Sequence, residues 1–331
     1  MNSSSATTGP MPLIILGGCD AKPGALPESV GELQPLSGYK AVSIQIHGRR
    51  LISHVIERFQ ETGAFQPIVI AGPAEVYRQA PVPVIDTNGS FGHNIRVAIE
   101  TLRETHPEGP LAVTTCDILP ELEDLRGLLE DYSDGRPCDL WFPLIRVPAG
   151  RELLGAFAWK PEYRIIPEAE TEAQSVLPGH LIIADTKALR LSLLYRLVEL
   201  AYRTRNRPIV DRRSTMLRRV FFGLLFQDLR NLLAFHPPTL TWTVVRNGLW
   251  IASRLQDGKI TQNELETAVA RIVMRRSYLR RHPERGARVP VLEGLSLAKD
   301  IDTEKEARQV LESQRSSLAQ DGVSDLEQND S

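Results

Sequence analysis

Three aspartates occupy positions at which carboxylates could bind a metal ion. Asp117 directly follows the apolar run 110–116, and Asp300 and Asp302 are separated by one residue near the end of the chain. Alternate residues of an extended strand face the same side, so Asp300 and Asp302 could act on one ligand. One carboxylate beside substrate phosphates is a typical Mg²⁺ arrangement. The alternative role is helix capping, by Asp117 before residue 120 and by Thr303 before the last predicted helix.

A glycine pair follows the first apolar run of the chain. The run 12–17 ends at Gly17 and Gly18. A glycine at the end of a strand lets backbone amides approach a phosphate, because no Cβ intervenes. The dinucleotide-binding pattern GxGxxG and the P-loop pattern GK[ST] are both absent from the sequence. The pair therefore indicates either a phosphate-binding turn or an ordinary turn between a strand and a helix.

Strands and amphipathic helices alternate along the first half of the chain, and these elements must position the glycine pair and Asp117. The pattern predicts strands over 12–17, 40–46, 66–72, 82–87, 110–116 and 139–147, and helices over 49–62, 91–105 and 120–132. Such alternation is typical of a three-layer α/β/α fold with a mostly parallel sheet. Ligands bind such sheets at the carboxyl ends of the strands.

Helical patterns replace this alternation after residue 186. The predicted helices cover 187–203, 211–235, 239–255 and 261–276, with a capping box formed by Thr261 and Glu264. Short strands are predicted within 288–303, before a closing helix over 304–314. Residues 186–290 contain 21 Lys and Arg but 7 Asp and Glu, although the whole chain has a net charge of −2. We therefore expect a flexible N-terminus over 1–11, a core of 12–185 plus 290–315, a basic helical insertion over 186–289 and a disordered tail over 316–331.

The composition excludes several classes of protein. The chain of 331 residues is 42% hydrophobic, which excludes wholesale disorder, and its three cysteines offer no disulfide framework. No apolar run reaches the roughly 18 residues of a membrane span, and no signal peptide is recognisable, so we expect a cytoplasmic protein. The histidines lack zinc-binding spacing, and no nucleic-acid-binding module is present, so we expect no nucleic-acid partner.

An amphipathic segment flanked by arginines covers 212–235. It is a candidate for peripheral membrane contact, because arginines and apolar residues together suit a lipid surface. The alternative is a helix that packs its apolar face on neighbouring helices. The sequence leaves the oligomeric state open.

Several motifs, in this order, resemble those of the nucleotidyltransferases related to molybdenum cofactor guanylyltransferase. They are LIILGG with the later GYKAVSIQIHGRR, then QPIVIAGP, TTCDILP, PGHLIIADTKAL and KDIDT. The resemblance covers about 12–185 and 290–315. The chain departs from the usual pattern at Leu16, where alanine is common, at Tyr39, where proline is common, and at Cys116, where glycine is common.

The resemblance implies a GT-A-like fold, that of the nucleotide-diphospho-sugar transferases, with a mixed sheet and a helical insertion. It implies Mg²⁺-dependent transfer of a nucleoside monophosphate from a nucleoside triphosphate to a phosphorylated or hydroxyl acceptor, with release of pyrophosphate. Lys40 and Lys22 would neutralise phosphate charge. Asp117 and Asp302 would hold Mg²⁺, with Asp300 as the competitor for the second role. The residues implied to contact the nucleotide are Leu16, Gly17, Gly18, Lys22, Lys40 and Asp117.

Two other functions are compatible with the motifs. A GT-A-type glycosyltransferase would use a sugar nucleotide, but such enzymes usually carry D-x-D at the metal-binding strand, and here Asp117 stands alone there while D-x-D lies near the end of the chain. A non-catalytic relative would bind a nucleotide or a membrane without chemistry. The nucleotidyltransferase is the first hypothesis, with a nucleoside triphosphate and a small anionic acceptor as its partners.

Overall fold

The structure, a computed structural model, describes residues 9–19, 36–149, 151–158, 160, 162–204 and 240–313. Its strands are β1 (Met11–Leu16), β2 (Gln45–Ile46), β3 (Arg49–Arg50), β4 (Phe65–Gly72), β5 (Val84–Asp86), β6 (Leu111–Thr115), β7 (Leu140–Trp141), β8 (Leu144–Arg146), β9 (Tyr163–Ile165), β10 (Gln174–Pro178), β11 (Leu181–Ala184), β12 (Ala287–Arg288) and β13 (Val291–Leu292). Its α-helices are α1 (Lys40–Ser43), α2 (Leu51–Glu61), α3 (Ala74–Tyr77), α4 (Phe91–Thr105), α5 (Leu122–Asp134), α6 (Leu191–Thr204), α7 (Leu240–Gln256), α8 (Gln262–Val273), α9 (Arg276–Arg281) and α10 (304–313). The 3-10 helices are Arg151–Phe157 and Leu295–Ala298.

The main sheet has the strand order β12-β7-β11-β6-β1-β4-β5. Strand β1 pairs in parallel with β4 and β6, whereas β11 runs antiparallel to β6 and β7. A smaller sheet has the order β13-β8-β10-β9. The predicted class, an α/β fold with a mixed and mostly parallel sheet, is confirmed.

Helices cover both faces of the main sheet. Alternate side chains of β1 point to opposite layers, because the side-chain period of a strand is two residues. Leu13 and Ile15 pack in the core cluster that includes α2 and α5, whereas Ile14 and Leu16 pack with α4. These side chains are buried on both faces, which explains the continuous apolar run in the sequence.

The structure corrects the predicted strand over 40–46. Residues Lys40–Ser43 form the single helical turn α1, and β2 begins only at Gln45. The neighbouring side chains of Lys40 and Ala41 are both buried. A strand would have turned these two side chains to opposite faces, so the helical turn is what brings both to the interior.

Other predicted strands are also altered. The run 139–147 divides into β7 and β8 at Pro143, because proline has no amide hydrogen with which to continue a ladder and the chain changes sheets there. Within the predicted strand 295–303, Leu295–Ala298 is a 3-10 helix and Asp300 makes an isolated bridge. Met11, placed by the sequence in a flexible N-terminus, is buried in β1. Strands β9 and β10 were not predicted.

The helices α6 to α9 lie between β11 and β12 in the chain, within the predicted insertion 186–289. Helix α8 begins with the expected capping box, in which Thr261 accepts from the amide of Glu264 and the Glu264 side chain accepts from the amide of Thr261. The segment 212–235 lies outside the described residues. Among the helices that the structure describes, none is long and apolar enough to cross a bilayer.

Candidate active site

The carboxyl end of β6 brings together acidic residues from two distant parts of the chain. Asp117 lies just beyond β6, and its neighbour Ile118 forms an isolated antiparallel bridge with Asp300. The amide of Ile301 donates a hydrogen bond to the carbonyl of Asp117 at 2.8 Å. One carboxylate oxygen from each of Asp117, Asp300 and Asp302 lies within 4.8 Å of the others. The three candidate metal ligands therefore share one site, which we call the acidic triad.

Lys40, the first residue of α1, bridges two carboxylates of the acidic triad. Its Nζ donates to Asp302 Oδ1 at 2.6 Å and lies 3.7 Å from Asp117 Oδ2. The Lys40 side chain is 5% exposed. Because little water reaches this ammonium group, its charge is stabilised mainly by the carboxylates beside it.

A second lysine, Lys160, also enters the acidic triad and was not predicted. Its Nζ contacts the carboxylate and the carbonyl of Asp300, and lies 3.2 Å from Asp302 Oδ2 and 3.6 Å from Glu306 Oε1. Burial lowers the pKa of Lys160, but the surrounding carboxylates outweigh burial and raise the pKa above its ordinary value, so the residue is charged. No sequence motif marks Lys160, which follows the 3-10 helix Arg151–Phe157 and reaches Asp300 only in the folded chain.

The two lysines affect Asp300 and Asp302 differently. Burial raises the pKa of Asp300, but the charges of Lys160 and His180 outweigh it and hold this pKa well below its ordinary value. At Asp302, burial and the negative charge of Asp300 raise the pKa, and Lys160 and Lys40 offset this only in part. Asp300 is therefore the better neutralised of the two carboxylates.

His180 lies beside the acidic triad. Its Nε2 is 3.6 Å from Asp300 Oδ1, and its Nδ1 is 3.4 Å from Thr115 Oγ1. Burial lowers the pKa of His180, but the Asp300 carboxylate outweighs burial, and the net pKa is raised. No sequence pattern pairs this histidine with Asp300, because the contact joins β6, the residue before β11 and the segment after Leu295–Ala298.

Thr303 and Glu306 fix the segment that carries Asp302. Thr303 Oγ1 accepts a hydrogen bond from the amide of Glu306 at 3.2 Å. Glu306 Oε2 accepts from the amides of Asp302 at 2.6 Å and Thr303 at 2.7 Å. The side chains of Thr303 and Glu306 are fully buried. This reciprocal cap at the start of α10 confirms the predicted capping role of Thr303.

The structure gives Gly17 a packing role. A Cβ on Gly17 would lie 2.6 Å from Cε2 of the buried Tyr77. The amide of Gly17 donates to the carbonyl of Ala71 at 2.9 Å, so this amide extends the sheet and is not available to a phosphate. Contact of Gly17 with a nucleotide through other atoms stays a prediction. A Cβ on Gly18 would meet no atom of the described residues within 4 Å, so a ligand could approach the backbone there.

The remaining predicted residues differ in their placement. Asp117 does not cap the helix that follows it, because α5 begins at Leu122 with Glu121 in the N-cap position. Leu16 is a buried core residue of β1. Lys22 lies outside the described residues.

The acidic triad fits a divalent cation in charge and donor chemistry. Asp117 Oδ1 is buried and has no hydrogen-bond partner among the residues that the structure describes, although buried polar atoms normally have one. Among the described residues, two lysines contact four carboxylates, those of the acidic triad and of Glu306. Carboxylate oxygens are the ligands that Mg²⁺ prefers. A dication beside Asp117 would supply a partner for this oxygen.

Comparisons with known proteins place the fold. No family model matches the chain, and a search of curated proteins finds no match. A hypothetical transferase from Thermus thermophilus matches 90% of this chain and 99% of its own, with a TM-score of 0.55 and 21% identity. A CMP:2-keto-3-deoxy-manno-octonic acid synthetase complexed with CTP matches 94% of this chain and 99% of its own, with a TM-score of 0.44 and 12% identity. The first likeness shows that this chain shares the fold of the Thermus protein.

Proposed function

We propose that this chain is a nucleotidyltransferase, which transfers a nucleoside monophosphate from a nucleoside triphosphate to a phosphorylated or hydroxyl acceptor and releases pyrophosphate. The observation that carries this proposal is the meeting of Lys40 with the carboxylates of Asp117 and Asp302 at the carboxyl end of β6. This edge of a mostly parallel sheet is where ligands bind in α/β proteins. We also propose that this chain is related to the nucleotidyltransferases that resemble molybdenum cofactor guanylyltransferase.

Nucleotidyl transfer requires positive charge near the phosphates. Negative charge develops on the leaving pyrophosphate while the acceptor attacks the α-phosphate, so fixed cations favour the transition state over the ground state. Lys40 supplies such a cation at the sheet edge. The open backbone at Gly18, at the end of the neighbouring strand β1, offers an amide that a phosphate could approach.

Asp117 and Asp302 are the residues that would hold Mg²⁺. When bound, the ion would neutralise phosphate charge and orient the reacting groups. The buried, unpartnered Asp117 Oδ1 supports a cation at this place. Lys40 keeps the two carboxylates close together when no ion is bound, because its ammonium group contacts both.

A sugar-nucleotide glycosyltransferase is the second candidate, and one observation favours it more than the sequence did. The D-x-D pair Asp300 and Asp302 lies near the end of the chain but occupies the same site as Asp117. Distance along the chain is therefore no objection to a D-x-D metal site. The two candidates differ in the leaving group, which is pyrophosphate for nucleotidyl transfer and a nucleoside diphosphate for glycosyl transfer.

Product release separates these functions. Purified protein is incubated with Mg²⁺, each of the four nucleoside triphosphates and a panel of sugar phosphates and other phosphorylated acceptors, and pyrophosphate is measured. We expect release with one matched pair, and Asp117→Asn should lower it at least on the order of 100-fold by removing a charge at the reacting centre. Asp257→Asn, at an exposed position, is the matched control and should leave the rate unchanged.

Two results would argue against nucleotidyl transfer. Release of a nucleoside diphosphate from a sugar nucleotide, with no pyrophosphate from any triphosphate, would favour the glycosyltransferase. No product from either donor class would favour a non-catalytic nucleotide-binding protein.

A further inference from the structure

We propose that Lys160 withholds Asp300 from the metal site, so that two carboxylates, those of Asp117 and Asp302, hold the ion. This inference rests on the function proposed above, because it concerns the same site. It names a residue that determines which members of the acidic triad act as ligands.

Asp300 is occupied by cationic partners. Lys160 Nζ contacts both the carboxylate and the backbone carbonyl of Asp300, which fixes the ammonium group against this residue from two directions. His180 Nε2 lies 3.6 Å from Asp300 Oδ1. A dication bound to the same carboxylate would have to displace Lys160 or lie next to its positive charge, and both are unfavourable at short range.

Lys160 is held in place by contacts beyond Asp300. Its side chain is 8% exposed, and its Nζ lies 5.4 Å from the centre of the Phe157 ring and 3.6 Å from Glu306 Oε1. Its amide donates to the carbonyl of Phe157 at 3.1 Å. Moving Lys160 away would remove the positive charge beside Glu306, which is fully buried, and uncompensated buried charges are costly. Lys160 is therefore a fixed counter-charge.

The carboxylate of Asp117, unlike that of Asp300, makes no hydrogen bond to a lysine in the described structure. Its Oδ1 is buried without a hydrogen-bond partner, and its Oδ2 is 3.7 Å from Lys40 Nζ, which is longer than a hydrogen bond. Asp302 presents Oδ1 to Lys40 and Oδ2 to Lys160. An ion would therefore find its most available oxygen on Asp117. Its second ligand would be Asp302 Oδ1, where the ion would take the place of Lys40 Nζ, the ammonium group that contacts both of these carboxylates.

A site with two carboxylate ligands makes binding of the ion depend on the nucleotide. Mg²⁺ is commonly bound by one or two carboxylates together with substrate phosphates, and it retains several waters. Three available carboxylates would favour an ion held by the protein alone. By neutralising Asp300, Lys160 leaves a site that binds the ion weakly by itself and more tightly when nucleotide phosphates supply further ligands, so binding of the ion and binding of the nucleotide become coupled.

Affinity for Mn²⁺, measured by electron paramagnetic resonance without nucleotide, tests this inference. Asp117→Asn should weaken binding by at least about tenfold, because an anionic ligand is lost, whereas Asp300→Asn should stay within about threefold of the wild type. Lys160→Met should tighten binding by about threefold or more, because Asp300 is released. Adding Asp300→Asn to Lys160→Met should cancel that gain. Lys160→Arg keeps the charge and should bind as the wild type does.

The comparison of two isosteric variants decides the outcome. If Asp300→Asn weakens Mn²⁺ binding as much as Asp117→Asn does, Asp300 is a ligand and the inference is wrong. It is also wrong if the wild type binds no Mn²⁺, or if folded Lys160→Met shows no gain. Thermal unfolding checks folding, and if Lys160→Met does not fold, the two asparagine variants still decide. If the Mn²⁺ affinities follow the expected pattern but no pyrophosphate is released, the proposed function is refuted and the inference about Lys160 still stands.

Discussion

Gly17→Ala tests whether the first glycine of the pair serves packing. The added Cβ would lie 2.6 Å from Cε2 and 2.7 Å from Cζ of Tyr77, distances that real Cβ atoms do not adopt. Tyr77 is 1% exposed, and its hydroxyl lies 3.9 Å from Cys116 Sγ, so the ring has little room to move. The substitution must therefore displace a packed aromatic ring or the end of β1.

The expected cost follows from overpacking of a buried position. Extra atoms in a well-packed core typically cost about 1–3 kcal/mol, so Gly17→Ala should lower the free energy of unfolding by about 2 kcal/mol. For a chain of this size, each kcal/mol lowers the melting temperature by roughly 2–4 °C. Gly18→Ala is the matched control. Its Cβ would meet nothing within 4 Å in the part of the chain that the structure describes, and we expect a change of less than about 1 kcal/mol.

Urea denaturation of four proteins provides the assay. Wild type and Gly17→Ala are compared in the natural background and in a Tyr77→Leu background, where the ring is absent. The cost of Gly17→Ala should fall below about 0.5 kcal/mol in the second background, because non-additivity reports contact between the two positions. An equal cost in both backgrounds, or an equal cost for Gly18→Ala, would refute the packing argument.

Three further predictions concern caps, thiols and the ion. Thr261→Ala and Thr303→Ala each remove a helix cap, and each should lower the free energy of unfolding in urea by about 1 kcal/mol. Only Thr303→Ala should also slow pyrophosphate release, because it loosens the segment that carries Asp300 and Asp302, and equal rates in the two variants would contradict this. Burial raises the pKa of Cys116 to about 12 and that of Cys138 to about 11, so iodoacetamide at pH 8 should label only Cys19 in the native protein. All three cysteines should be labelled in urea, and rapid labelling of Cys116 in the native protein would contradict its burial. Mg²⁺ with the matched nucleotide should raise the melting temperature more than the sum of the two separate increases, and additive increases would argue against coupled binding.

The sequence allows the sheet edge to be predicted, because the edge depends on local patterns. An apolar run followed by an acidic residue predicts a carboxylate at a strand end, and Asp117 lies there. The spacing of Asp300 and Asp302 predicts that their carboxylates can reach one ligand, and Lys160 contacts both. Capping by Thr303 is also local, since the chemistry requires only residues three apart.

Features that depend on contacts between distant segments could not be predicted. Lys160 and His180 carry no motif and reach Asp300 only when separate strands and turns assemble. The strand predicted over 139–147 is divided between two sheets, and its apolar pattern is the same in either arrangement. The role of Gly17 is a further case, because the need for glycine there comes from the Tyr77 ring on α3.

The destination of labelled phosphate tests most directly whether the acidic triad is a nucleotidyl-transfer site. Protein is incubated with Mg²⁺, the acceptor identified by pyrophosphate release and the matched nucleoside triphosphate, labelled with ³²P at either the α or the γ position. We predict that the α label enters a new product joined to the acceptor, that the γ label appears in pyrophosphate, and that Asp117→Asn abolishes both. Release of the γ label as inorganic phosphate, or transfer that Asp117→Asn leaves intact, would contradict the assignment of the site.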